Sequence, residues 1–251
     1  MAFRRSLWAE AFPIGKLPKF PCPTCDDGRL IADKDSFFLG EPRYSKAAQG
    51  HDDWEPDWDV GRFSQRLICD HDECGEIVIV HGQTALVQEY DEEFGWSFVS
   101  VLQPNSLSPA PRMINLPKNL PWSVIKQLRQ VFALFWVDIG SAGNRLRTSL
   151  EGVLDDLQVP RQVIDQKKGK MVDLDLNGRI QHLEKQSPDQ AQTFHALRMI
   201  GNIGSHTVAL SREALLDAFE LYEDALADIY SNRKAYLDEI KKKIIKTKGK
   251  Y

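Results

Sequence analysis

The spacing of apolar positions changes once along this chain, near Pro121. Over residues 22–102 the apolar and aromatic side chains fall in short runs: GRLIAD, DSFFLG, RFSQRLIC, EIVIVHG, TALVQEY and WSFVSVL. These runs are rich in β-branched and aromatic residues and are bounded by Gly, Asp and Pro, which predicts short strands. Residues 1–20, broken by Pro13 and Pro18, read as an irregular lead-in. Residues 41–61, with their Gly, Pro, Asp and Trp, read as an excursion from the sheet. Five prolines at 104, 109, 111, 117 and 121 then predict a stiff, extended linker.

Beyond Pro121 the period lengthens. Leu128, Phe132, Phe135, Ile139, Leu146, Leu150, Val153, Leu154 and Leu157 recur three and four apart, the stripe of an amphipathic helix. Gly140 and Gly143 predict a bend or a break within it, and Pro160 its end. Residues 165–173, with three lysines and a glycine, predict a flexible loop. A short helix carries Ile180 and Leu183 and stops before Pro188, and another runs from Asp189 into GNIGSH. Ser211 caps a further helix through Leu215, Leu216, Phe219, Leu221, Leu226 and Ile229. The last helix starts near Asn232 and frays into a lysine tail. The fold class is therefore α+β: a β module over 1–103, a linker over 104–120, and an all-α bundle over 121–251 with a basic C-terminal tail.

Charge adds little globally, since a formal net charge of −4 lacks the basic field of a general nucleic-acid binder. Locally it matters more. Residues 52–59, DDWEPDWD, place Trp54 and Trp58 among five acids, which suits a protein partner better than a phosphate backbone. The final KKKIIKTKGKY carries six lysines, either a solvated disordered end or a phosphate-contacting arm. No apolar run reaches the length of a membrane span and no secretory signal precedes the first polar residues, so no membrane partner and a cytoplasmic location are expected.

Four cysteines carry the sharpest chemistry. Cys22 and Cys25 flank two residues in CPTC, and Cys69 and Cys74 flank four in CDHDEC, each pair at a turn beside strand-like sequence. Paired thiolates on two knuckles are the ligand set of a structural zinc ion, in a zinc-ribbon-like layout. Two disulfides, free thiols, or a mixed site using His71 are the alternatives at this stage.

In the bundle, Arg198, Asn202 and His206 are spaced by four and share one helix face, and Arg147 and Glu151 do so on an earlier helix. An arginine, an amide and an imidazole together can act on a phosphodiester, the imidazole as general acid or base and the guanidinium on developing charge. On spacing alone, Gly201 and Gly204 equally predict close helix packing, with Asn202 and His206 satisfying backbone groups and Arg147 pairing with Glu151. The combination of CPTC and CDHDEC, LPWSVIKQL, RLRTSLEGVLDDL and ALRMIGNIGSH resembles the bacterial domain of unknown function 4145, over residues 20–235. That family is often placed in the HEPN superfamily of helical, nucleic-acid-associated proteins. The resemblance implies a defence or stress setting, a homodimer with the motif helices near its two-fold axis, and RNA or another nucleic acid as partner. It also implies a metal-independent endoribonuclease, although seven residues separate Arg198 from His206 where superfamily ribonucleases have four to six. A non-catalytic module that recruits or regulates a nuclease is the other reading, and a ribbon adaptor on a dimerising bundle a third. Surplus apolar surface at Phe132, Phe135, Trp136 and 219–222 also predicts the dimer.

Overall fold

The computed structural model describes residues 3–93, 95–165, 169–203, 209–231 and 233–248. It is mixed α+β, an antiparallel sheet followed by helices. The chain forms two compact units: Met1–Met113 with Phe132–Asp138, and Ile114–Val131 with Ile139–Tyr251.

The sheet of the first unit contains β1 (Phe12–Pro13), β2 (Leu30–Ala32), β3 (Phe38–Gly40), β4 (Arg62–Cys69), β5 (Ile77–Asp91) and β6 (Gly95–Ser108), ordered β1-β6-β5-β4-β2 with β3 also on β4. The alternation of β4 is clean: Phe63, Gln65, Leu67 and Cys69 are buried while Arg62 and Arg66 face water. The excursion over 41–61 holds α1 (Arg43–Ala48) and a 3-10 turn, Pro56–Trp58. There Trp54 donates its indole N–H to Asp59 at 3.2 Å, and Trp58 stays exposed.

Three expectations for this part need correction. The lead-in is core, not irregular coil, because Trp8, Phe12 and Phe20 are buried in one aromatic cluster. The cluster is completed by Phe135 and Trp136, which lie 6.5 and 6.3 Å from Trp8, centroid to centroid. Those side chains, with Phe132, Phe219 and Tyr222, are buried within one chain, so of the positions invoked for a dimer surface the apolar surplus remains at Leu221, which is exposed. Finally, β6 runs through Pro104 to Ser108, into the stretch read as linker. Pro104 sits opposite Gly82 at a bulge, where the ladder is already interrupted. A Cβ on Gly82 would meet Gln103 O at 2.1 Å, so this close approach needs glycine.

The second unit is helical. The long stripe breaks at Asp138 into α2 (Trp122–Val137) and α3 (Ile139–Asp156). Then come α4 (Leu176–Glu184), α5 (Pro188–Ile203), α6 (Arg212–Tyr230) and α7 (Arg233–Thr247). Ser211 caps α6, its hydroxyl accepting from the Ala214 N–H at 3.2 Å. Helix α5 packs against α3, α4 and α6 and so lies at the centre of the unit.

Here too composition misled in two places. Asp165 and residues 170–173 belong to a hairpin of β7 (Gln162–Asp165) and β8 (Lys170–Asp173), with Gly169 at φ +63°, while residues 166–168 lie outside the described residues. Its lysines and glycine read as loop because the strands are left uncovered, with Ile164 and Met171 exposed. The lysine tail is helical as far as Thr247 rather than a disordered end. Gly204 and His206 lie outside the described residues. No helix among the described residues is long and apolar enough to cross a membrane.

Candidate functional site

The four cysteine sulfurs converge, all lying within 4.8 Å of one another. Cys22 Sγ is 3.7 Å from Cys74 Sγ, and Cys25 Sγ is 3.5 Å from Cys69 Sγ. Both separations are far beyond a disulfide bond and close to the edge of a thiolate tetrahedron around a metal, about 3.8 Å for ligands at ~2.3 Å. The cysteines are free, so the disulfide alternative is not realised. The mixed site is not realised either, because His71 does not join the ligand cluster.

Local sequence builds this geometry. In the first knuckle the amides of Thr24 and Cys25 both point at Cys22 Sγ, 3.4 and 3.5 Å away. In the second, Cys74 N and Gly75 N donate to His71 O, and Gly75 adopts φ +54° to close the turn. The strands set the two knuckles side by side: Leu30 pairs with Cys69 across β2 and β4, and Cys22 N donates to Gly28 O at 3.0 Å.

Two residues that sequence reasoning passed over hold the cluster in shape. A Cβ on Gly28 would lie 2.2 Å from Cys69 Sγ and 2.7 Å from Cys25 Sγ, so only glycine leaves room for the sulfurs. Arg112, inside the supposed linker, donates to the carbonyls of Cys22 and Cys25 and forms an ion pair with Asp26 at 2.6 Å. A glycine three residues after CPTC was a readable signal; the arginine was not, as nothing in a proline-rich stretch marks it.

Burial pushes the Cys69 thiol up to about 12 and raises Cys22 as well. At Cys25 burial also raises, but bonds from the Gly28 amide and the neighbouring sulfurs together bring the thiol below its ordinary value. Burial favours the protonated thiols at Cys22 and Cys69, and a bound metal would displace those protons.

In the helical unit, α3 and α5 cross closely at Gly201. A Cβ there would meet Arg147 Cβ at 2.7 Å and Gly143 O at 3.0 Å. The packing role expected of Gly201 is therefore realised. On either side of the crossing stand Arg147 and Arg198, both half-buried. The Nε of each is enclosed without a hydrogen-bond partner. Arg147 and Glu151 do not pair with each other, so the ordinary helical ion pair expected from their spacing is absent. Asn202 is engaged within the protein.

A pocket of about 630 Å³ opens beside Arg147 and Glu151, walled by the base of the β7–β8 hairpin and the start of α4. Two of its lining residues, Arg161 and Arg179, are tied to Asp155. Arg161 donates twice to that carboxylate, at 2.9 and 2.6 Å, and buried Arg179 adds a bond at 2.8 Å. The Arg161 bonds hold the Asp155 carboxyl below its ordinary value, against its partial burial, and Arg179 helps. A depressed carboxylate stabilises the fold above its unfolded value of about 4 and loses that contribution as pH falls through the folded value. The urea midpoint should accordingly drop below about pH 4, and Asp155→Asn should flatten that part of the profile; an unchanged acid limb would contradict the assignment.

Residues 10–105 match the family model described as domain of unknown function (DUF8608), and residues 129–248 match that of domain of unknown function (DUF4145). The likeness read as one family over 20–235 is thus divided: the cysteine knuckles fall in the first match, and Arg147, Glu151, Arg198, Asn202 and His206 in the second. No curated protein and no solved structure matches the chain.

Proposed function

We propose that the chain is a nucleic-acid-associated component of a bacterial defence or stress system, a zinc-ribbon-like module joined to a HEPN-like helical unit that engages RNA. The observation that carries this reading is the pair of half-buried arginines, Arg147 on α3 and Arg198 on α5, the Nε of each enclosed without a hydrogen-bond partner. An enclosed guanidinium N–H without a partner carries a desolvation cost, and the planar fork of arginine suits a phosphodiester. In the sharper form of the proposal His206 acts as general acid or base on the ribose 2′-hydroxyl and leaving group. Arg198 stabilises the phosphorane charge, Asn202 borders the cleft, and Arg147 with Glu151 orients the set. The metal in the cysteine cluster is zinc in a structural role, because four thiolates close its shell and leave no position for a reacting water.

The test is cleavage of a mixed-sequence RNA in the presence of a chelator that leaves the buried zinc in place. Wild type should cut, and Arg198→Ala and His206→Ala should each lose at least a hundredfold with the melting temperature within a degree or two. A second reading, a non-catalytic interaction module, draws on Gly201 and Asn202 being used internally. It predicts RNA or partner binding with no cleavage in wild type. Absence of both binding and cleavage would sink the RNA proposal.

A further inference from the structure

The pocket beside α3 has an unusual charge arrangement. Its wall includes Arg161, Gln162, Asp173, Asp175 and Arg179, and every one of these has an internal partner. Arg161 and Arg179 are held by Asp155, Gln162 donates to Asp173 at 2.7 Å, and Asp175 caps α4 by accepting from the Gly178 N–H at 2.8 Å. What remains are Arg147 and Glu151, one turn apart on the same face of α3 and both lining the pocket; they make no ion pair with each other, and Glu151 acts on Arg161 through its charge alone. Opposite charges at this spacing ordinarily find each other. Here neither head takes the other, and Glu151 reaches Arg161 only through its field, so both can engage a third group.

From this arrangement we infer that the pocket binds a mononucleotide unit, its phosphoryl group on Arg147 and its hydrogen-bond donors on Glu151. The guanidinium fork matches two phosphate oxygens at once. A carboxylate accepts well from paired donors, either the ribose hydroxyls or the N–H groups of a base edge. Leu174 supplies an apolar part of the wall on which a base can rest. Size decides against the simplest alternative. A free amino acid would satisfy both charges but leave most of 630 Å³ empty, whereas a nucleotide is of the size such pockets enclose. The inference goes beyond the RNA reading, since a free nucleotide would bind here whether or not the chain ever meets a polynucleotide. The same chemistry also fits the phosphorylated end of an RNA strand.

Calorimetric titration of the full chain distinguishes these sources. The probes are AMP, GMP, CMP and UMP singly, then a short RNA with and without a terminal phosphate. At least one mononucleotide, or the terminally phosphorylated RNA alone, should bind with a Kd below about 100 μM and be displaced by millimolar inorganic phosphate. Arg147→Gln should weaken binding tenfold or more, Arg147→Lys less, and Glu151→Gln severalfold. Arg198→Gln should leave mononucleotide binding in place while reducing RNA cleavage, which separates this site from the phosphodiester proposal. Circular dichroism confirms that each variant is folded, and Arg147→Lys carries the test if the glutamine variant is not. No binding by any probe at millimolar concentration, or binding indifferent to both Arg147→Lys and Glu151→Gln, would overturn the inference.

Discussion

Replacing Cys69 with serine, or Gly28 with alanine, should strip the chain of its metal and unfold the sheet around it. Protein purified without added metal should carry one ion per chain by elemental analysis, and Cys69→Ser close to none. The glycine variant is the more telling of the two, because it leaves every ligand in place. Its new methyl would sit 2.2 Å from Cys69 Sγ, a distance that forces the sulfur out of the cluster. Metal affinity should fall at least tenfold. Since ligand geometry and folding are linked in small metal-stapled modules, with apparent binding energies of about 10–16 kcal/mol in zinc-finger peptides, the loss should far exceed that of an ordinary core substitution. Near-UV circular dichroism reports it, because Trp8, Phe20 and Trp136 form one aromatic cluster in the same unit. Far-UV helical signal should largely persist. A metal-free wild type with an intact near-UV spectrum would refute the assignment.

Arg179→Ala should be the most damaging single change in the helical unit. Its guanidinium donates to Asp155 at 2.8 Å, to Val159 O at 3.0 Å and to Glu151 O at 3.4 Å. Removing it empties a large enclosed volume and deprives a buried carbonyl of its donor. Together these should cost about 2–4 kcal/mol in urea unfolding. Arg179→Met restores much of the volume but none of the bonds, and should recover about half. Arg161 is the internal control. It binds the same carboxylate but is 65% exposed, so Arg161→Ala should cost under about 1 kcal/mol. Equal losses at the two arginines would show that burial is not what makes Arg179 important.

The order and type of most elements were legible in the sequence because their periodicity survives burial on one face. RFSQRLIC alternates as a strand, and the stripe from Leu128 to Leu154 repeats as helices. The convergence of the four cysteines was legible because two tight turns beside strands set the pairs side by side. What escaped reading was decided by distant contacts. Trp8 and Phe20 look like strays in a proline-punctuated lead-in until Phe135 and Trp136 arrive beside them. Arg112 looks like linker until its side chain reaches the Cys22 and Cys25 carbonyls. The β7–β8 hairpin was missed for the opposite reason. Its strands bury so little that composition resembled a loop. At the arginine site, spacing identified Arg147, Glu151 and Arg198 as a group but suggested that two of them neutralise each other, which only side-chain geometry could correct.

The first unit is discontinuous, and that affects how the chain is made. All four cysteines have been synthesised by residue 74, so a metal can seat while the rest of the protein is still being translated. The aromatic cluster must wait for Phe132–Asp138, which belongs to the same unit but follows it by a stretch of the other. At roughly 5–20 residues per second, the interval between residues 113 and 138 lasts about 1–5 s. During it Trp8 and Phe20 lack Phe135 and Trp136, which complete their aromatic cluster. A nascent chain stalled in that window would present Trp8 and Phe20 to chaperones, and an expression fragment ending at the apparent domain boundary would do so permanently.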